Sequence, residues 1–264
     1  MLEVSSPTNS LVKVFRRALE RGTTREGWLA VEGAFLVEEA LSAPLAEVQS
    51  VLVARGASEK FQSLLERVPG SSEIAQVPDR LFERIAQTQS PQGIAALVEI
   101  PAYDLERAVK GAAPVVLVAC GVQDPGNLGS MLRSALAFSA SAVVTLEDTV
   151  SPWNPKAVRA SAGAVFRVPI VSSLKPEPAL AYLSRKVFVV AGQRSSPVSV
   201  AQADLSGPLA ILIGREAAGL PPEVARHARL RLRIPIRHEV DSLNAAAAAS
   251  IFLYEAARQR GFGY

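Results

Sequence analysis

Residues 115–138 read VVLVACGVQDPGNLGSMLRSALAF, and this passage decides the fold. Val115 to Ala119 is short and apolar at every position, as a strand covered on both faces must be. A turn rich in Gly, Asp and Pro follows. A helix is expected from near Asn127, because Asn is a preferred cap. Strand, tight turn and helix in this order form half of a parallel βαβ unit. The helix amino terminus that follows such a strand favours anionic or polar groups, and glycines at 121, 126 and 129 let backbone amides approach a ligand. On that helix Ser130, Arg133 and Ala137 share one side. Arg133 is an isolated charge among small apolar residues, which a packed ion pair explains as well as a ligand does.

Outward from this unit the pattern repeats. Residues 142–146, 187–190 and 209–213 are further short apolar runs, each separated from the next by a helix or a long connection. That arrangement predicts an α/β domain with a parallel sheet over residues 114–264. Upstream, 10–21, 31–40, 60–68 and 79–87 read as helices, and 48–54, 74–77 and 94–100 as strands, giving a smaller α/β domain over 1–99. Residues 100–113, a charged turn bracketed by Pro101 and Pro114, read as the linker.

The bulk composition narrows the classes. Half of the 264 residues are apolar, enough for a sizeable core. No apolar run reaches the roughly 18 to 20 residues of a membrane span, and the first residues lack the apolar stretch of a secretory signal. A soluble, cytoplasmic protein is expected. The one cysteine, Cys120, forbids an internal disulfide and a multi-cysteine zinc site, and it sits in an apolar run where a small core residue belongs. No metal is expected, and His227 and His238 read as surface residues because no partner has metal-ligand spacing. Residues 1–99 carry 10 Lys/Arg against 13 Asp/Glu, whereas 100–264 carry 18 against 12. Within the acidic part Lys13, Arg16, Arg17, Arg21 and Arg25 cluster, either as a solvated face or as a phosphate-binding patch.

Two more passages carry chemistry. In LAILIGREAAGLPPEV (209–224) a buried strand runs directly into a Gly214-x-Glu216-x-x-Gly219 turn, at the carboxyl end of a parallel strand where ligands collect. In LRIPIRHEVDSLNAAAAASIFLYEAARQR (232–260) Ile234-Pro235 closes an extended segment. Asp241 or Ser242 is expected to cap a long helix whose first turn is Ser242-Leu243-Asn244. The run Ala245–Ala249 offers a smooth surface to another helix or a second subunit. Glu147 and Asp148 stand where a dinucleotide-binding acid would, but Gly121-x4-Gly126-x2-Gly129 is not the Gly-x-Gly-x-x-Gly fingerprint.

Together the three passages resemble the signature motifs of the SpoU/TrmH family of RNA 2′-O-methyltransferases. The first is Asp124-Pro-Gly-Asn127-Leu-Gly129-Ser130 through Arg133, the second Gly214-x-Glu216-x-x-Gly219-Leu220, and the third Ile234-Pro235 with Ser242-Leu243-Asn244. Ser151-Pro152, Asn154, Lys156, Arg159, Ser161 and Gly163 fit between them. The first 99 residues are similar to the substrate-binding domain often fused to this family, through Ser6-Pro7-x-Asn9, Arg25, Glu32-Gly33 and Ser90-Pro91-Gln92-Gly93.

The resemblance implies a deep trefoil knot in the second domain, a homodimer built on that domain, and S-adenosylmethionine as cofactor. It places Gly192, Gly214, Ile234, Ser242 and Leu243 at the cofactor, and Asn127, Arg133, Glu216 and Asn244 at the reacting end. Lys13, Arg16, Arg17 and Arg25 would hold RNA, ribosomal RNA first and transfer RNA as the other candidate, with the target nucleotide unpaired or flipped. An arginine pKa above about 12 makes Arg133 a poor base. Its expected role is to stabilise the developing alkoxide, or to hold a phosphate that passes the proton on, with Asn127 and Glu216 orienting it. Arg215, Ala217 and Arg237-His238-Glu239 depart from the family pattern beside the cofactor loops. A chain of this kind that has lost catalysis, serving as an RNA-binding or ribosome-assembly protein, is the alternative reading.

Overall fold

The computed structural model describes residues 1–215 and 218–263. Contacts divide them into two compact units, Met1–Pro101 with Trp153–Arg159, and Ala102–Pro152 with the described residues from 160 onward.

The first unit is built on a mixed five-stranded sheet. In chain order its elements are β1 (Leu2–Glu3), α1 (Ser10–Arg21), β2 (Leu29–Glu32), α2 (Ala34–Ser42), β3 (Glu47–Ala54), α3 (Gln62–Leu65), β4 (Glu73–Val77), α4 (Asp79–Ile85) and β5 (Ile94–Glu99). The strands lie in the order β1-β4-β3-β5-β2, and β5 runs antiparallel to both its neighbours. Helix α1 forms because Val12, Phe15, Ala18 and Leu19 make one buried stripe, and because Asn9 Oδ1 accepts the Leu11 amide at 2.9 Å as its cap. It stops at Gly22, whose φ of 97° favours glycine and where an added Cβ would fall 2.0 Å from the Trp153 carbonyl oxygen. The expected helix over 31–40 begins late. Leu29–Glu32 is a fully buried strand paired with β5, and only after Gly33 does α2 start. Sheet pairing here overrides a local pattern that reads as helix.

The second unit holds α5 (Leu105–Ala108), β6 (Val115–Ala119), α6 (Pro125–Ala137), β7 (Ala142–Leu146), β8 (Ile170–Leu174), α8 (Pro176–Lys186), β9 (Phe188–Gly192), β10 (Leu209–Ile213), α9 (Pro222–Ala225), β11 (Leu230–Leu232) and α10 (Ala245–Gln259); α7 (Pro155–Ala160) falls almost wholly in the first unit. Its six strands are all parallel, in the order β11-β9-β10-β6-β7-β8. Central β6, β7 and β10 are buried at all five positions, which is why they read as continuous apolar runs. The stretch expected as a linker lies against this unit: Ala108 is buried, and Tyr103, Leu105 and Val109 pack on its core. Cys120 is buried in the same core, and burial pushes its thiol up to about 12, so it stays a thiol at neutral pH. Among the described residues no helix is long and apolar enough to cross a membrane.

Candidate functional site

The carboxyl ends of β9, β10 and β11 open on a cavity of about 830 Å³ within the second unit, closed on the other side by residues 234–243 and the start of α10. Gly192, Gly214, Ile234, Ser242 and Leu243 all line it. Its apolar lining includes Ile213, Leu220, Leu232, Ile234, Leu243 and Phe252. A site of this kind, apolar with a few polar groups and backbone edges, suits a nucleoside-sized ligand.

Two glycines shape the wall. Beyond β10 the chain doubles back, with the Arg215 amide donating to the Gly219 carbonyl at 3.1 Å and the Gly219 amide to the Arg215 carbonyl at 2.9 Å. The turn folds so tightly on Gly214 that an added Cβ would lie 2.3 Å from the Gly219 oxygen and 2.7 Å from the Leu220 nitrogen. At Gly192 a Cβ would meet the Phe252 ring at 3.3 Å and Ile213 Cδ1 at 3.4 Å. At the rim, Arg194 and Asp241 pair at 3.3 Å, an exposed contact of little energetic weight.

Beside the cavity the amino ends of two helices meet. Asp124, not Asn127, caps α6: its Oδ1 accepts the amides of Gly126 and of Asn127, the latter at 3.2 Å, with Pro125 in the first helical position. The carboxylate one turn earlier takes the free amides, so the Asn127 side chain does not serve as the cap. Likewise Asn244 caps α10, in place of Asp241 or Ser242. Its Oδ1 accepts the amides of Ala246 at 2.9 Å and Ala247 at 3.2 Å, so Ser242-Leu243-Asn244 precedes the helix instead of forming its first turn. The remaining donor of the same side chain, Nδ2, reaches Asn127 Oδ1 at 2.8 Å. One asparagine thus ties the start of α10 to the start of α6.

Arg133 is exposed on α6 and makes no hydrogen bond or ion pair with a described residue; neither it nor Asn127 lines the cavity. Glu216 lies outside the described residues. Arg215, noted only as a departure, has a visible job: its Nε donates to the Gly121 carbonyl at 3.0 Å and so ties the turn after β10 to the loop before α6. The Gly121 amide is held in turn by Thr149 Oγ1 at 2.9 Å. Nothing in the spacing of the sequence points to that contact. His227 is less exposed than expected, with its side chain 12% accessible and Nε2 3.1 Å from Glu177, whereas His238 is open to solvent beside Glu239.

In the first unit Lys13, Arg16 and Arg17 lie on the exposed side of α1, with Arg25 exposed in the loop that follows. None of the four forms a salt bridge among the described residues.

Residues 114–254 match the SpoU rRNA Methylase family, and residues 9–96 match the MRM3-like substrate binding domain. The chain is 31% identical, over 96% of its length and 98% of that protein, to a 23S rRNA (guanosine(2553)-2′-O)-methyltransferase of Bacillus subtilis. It is 32% identical, over 76% of its length and 72% of the relative, to a 23S rRNA (uridine(2479)-2′-O)-methyltransferase of Streptomyces viridochromogenes. Among solved structures, the AdoMet-bound rRNA methyltransferase of Sinorhizobium meliloti superposes with a TM-score of 0.83 at 31% identity, covering 97% of both chains.

Proposed function

This chain belongs to the SpoU rRNA methylase family, and from that premise we propose that it transfers a methyl group from S-adenosylmethionine to a ribose 2′-hydroxyl of ribosomal RNA. The observation that carries the reading is the convergence of Gly192, Gly214, Ile234, Ser242 and Leu243 on one cavity at the strand ends, next to the Asn127–Asn244 link.

The cavity fits the cofactor. Its volume, its apolar wall and the side-chain-free Gly192 and Gly214 leave room for a nucleoside and a short polar tail. Ile234 and Leu243 would hold the flat apolar part, and Ser242 would offer a hydroxyl to the polar one. S-adenosylmethionine, when bound, supplies both the methyl group and its leaving group.

The chain's own contribution is alignment and charge. Asn127 and Asn244 fix the two helix termini that flank the reacting end, so the acceptor oxygen is held in line instead of searching for its geometry. Arg133 keeps its proton at any pH the enzyme meets. It acts as a fixed positive charge toward the oxygen as its proton leaves, or toward an adjacent phosphate that takes that proton. The family motif gives Glu216 the role of orienting Arg133 in this reading. Replacing Arg133 by Ala removes methyl transfer and leaves S-adenosylmethionine binding, read by calorimetry, at the wild-type value. Normal turnover in that variant contradicts the assignment.

The finer features belong to the same reading. The second unit is threaded into a trefoil knot and forms a homodimer in the cytoplasm. Exposed Leu136 on α6, Tyr254 on α10 and Phe262 beyond the end of α10 are apolar surface that a second copy would cover. The first unit holds the RNA backbone through Lys13, Arg16, Arg17 and Arg25, whose charges are free to meet phosphates.

A further inference from the structure

The first unit carries a second recognition element that its cations do not explain. Residues 86–93 (AQTQSPQG) contain no charge, and they connect α4 to β5 as a loop. Both ends are fastened with unusual care. At the start, the carboxylate of Glu32, buried at 9% exposure on β2, accepts the Gln87 amide at 2.7 Å and the Thr88 hydroxyl. A buried carboxylate is costly unless satisfied, and this one is satisfied by the loop. At the far end, Gln92 Oε1 accepts the Ala34 amide at 2.8 Å, at the start of α2. Gly93 then enters the sheet at φ 87°, where a Cβ would stand 2.6 Å from that of Ala57.

Between the two fastenings Gln89 and Ser90 are exposed, and neither side chain bonds to a described residue. The loop also meets the buried side of α1: Leu19, Glu32 and Gln87 line one small hollow.

We infer that this loop reads nucleobases, with Gln89 and Ser90 as the specificity-determining residues and Glu32 and Gln92 as positioning residues. The inference rests on the RNA reading above and deepens it. A neutral amide carries two donors and an acceptor, the set that matches a base edge, and Gln pairs bidentately with adenine. Phosphates, by contrast, are met by Lys and Arg and carry no sequence information. Holding the loop at both ends before RNA arrives reduces the ordering cost of binding. The partner is a single-stranded or loop region of RNA, whose bases expose their edges.

The test compares wild type with Q89A/S90A by fluorescence anisotropy, using an unmodified 23S rRNA transcript and poly(U) as the two probes across a salt series. Both side chains are exposed, so the double variant keeps its fold. The expected result is that preference for the transcript over poly(U) falls about tenfold, while poly(U) affinity, salt slope and S-adenosylmethionine affinity stay at wild-type values. E32Q, which keeps one acceptor oxygen, is expected to lose the same preference with an unchanged circular dichroism spectrum. Three results overturn the inference: no preference in the wild type, an unchanged preference in Q89A/S90A, or a shallower salt slope in that variant, which would make the loop a phosphate contact. Because binding is the readout, failure of methyl transfer would sink the catalytic reading and leave this test intact.

Discussion

Gly214→Ala is the most informative single change at the cavity. The new methyl would stand 2.3 Å from the Gly219 oxygen, 2.4 Å from its carbonyl carbon and 2.7 Å from the Leu220 nitrogen. All three are backbone atoms, so no rotamer change relieves the clash, and the turn must retreat by about 1 Å to reach ordinary contact. That retreat breaks the two hydrogen bonds between Arg215 and Gly219, each worth about 1 kcal/mol net. Overpacking adds about 1–3 kcal/mol. Because the turn is also a wall of the cavity, the loss falls on S-adenosylmethionine affinity: about 2 kcal/mol is a drop of roughly thirtyfold. Calorimetric titration with the cofactor, paired with a melting curve, measures both effects. Gly207→Ala is the control, since a Cβ there meets nothing within 4 Å and its φ is ordinary. Wild-type affinity in Gly214→Ala would show that this turn does not shape the cofactor site and would refute the reasoning.

Asn244→Asp keeps the acceptor that caps α10 and removes the donor to Asn127; it should melt near the wild-type temperature while kcat falls at least tenfold, whereas Asn244→Ala should also lose about 1 kcal/mol of cap, read from its melting curve. Lys13→Ala with Arg17→Ala should weaken RNA binding across all sequences and lower the slope of log affinity against log salt by roughly 1 to 2, since each lost phosphate contact removes about 0.9; an unchanged slope would remove α1 from the RNA path. The hydrogen bonds of Arg258 and then Gln259 hold the Glu255 carboxyl below its ordinary value against opposing burial. A folded pKa below the unfolded one means this stabilisation is full above the ordinary carboxylate range and is lost as pH falls through the depressed folded value. Glu255→Gln should therefore melt lower at pH 7 and converge on the wild type in acid, and a constant gap between the two melting curves would contradict this.

The parts of the fold that were legible are those where one physical signal dominates. Helix α1 was readable to the residue because an apolar stripe, an Asn cap and a closing Gly agree. Central β6, β7 and β10 were readable because burial on both faces leaves nothing but apolar residues. The missed strands β8 and β11 are the two edges of that sheet. Half-buried Ser172 and exposed Ser173 in the first, and exposed Arg231 in the second, interrupt the apolar run, as edges do. The last two residues of β2 were taken for helix because its pairing with β5 is a contact across some 65 residues of chain, which no local window contains. At the site, glycines and motif order located the cavity, while the caps were misplaced by two to three residues: Asp124 and Asn244 compete with equally good neighbours, and geometry decides between them. The link from Arg215 to Gly121 spans 94 residues and was invisible for the same reason as β2.

The central claim is tested most directly by incubating the protein with S-adenosylmethionine labelled in its methyl group and unmodified 23S rRNA, then digesting the RNA to nucleosides. The account requires the label in a single 2′-O-methylated nucleoside, with Arg133→Ala giving none. Label on a base, or none in rRNA while transfer RNA is methylated, would contradict it.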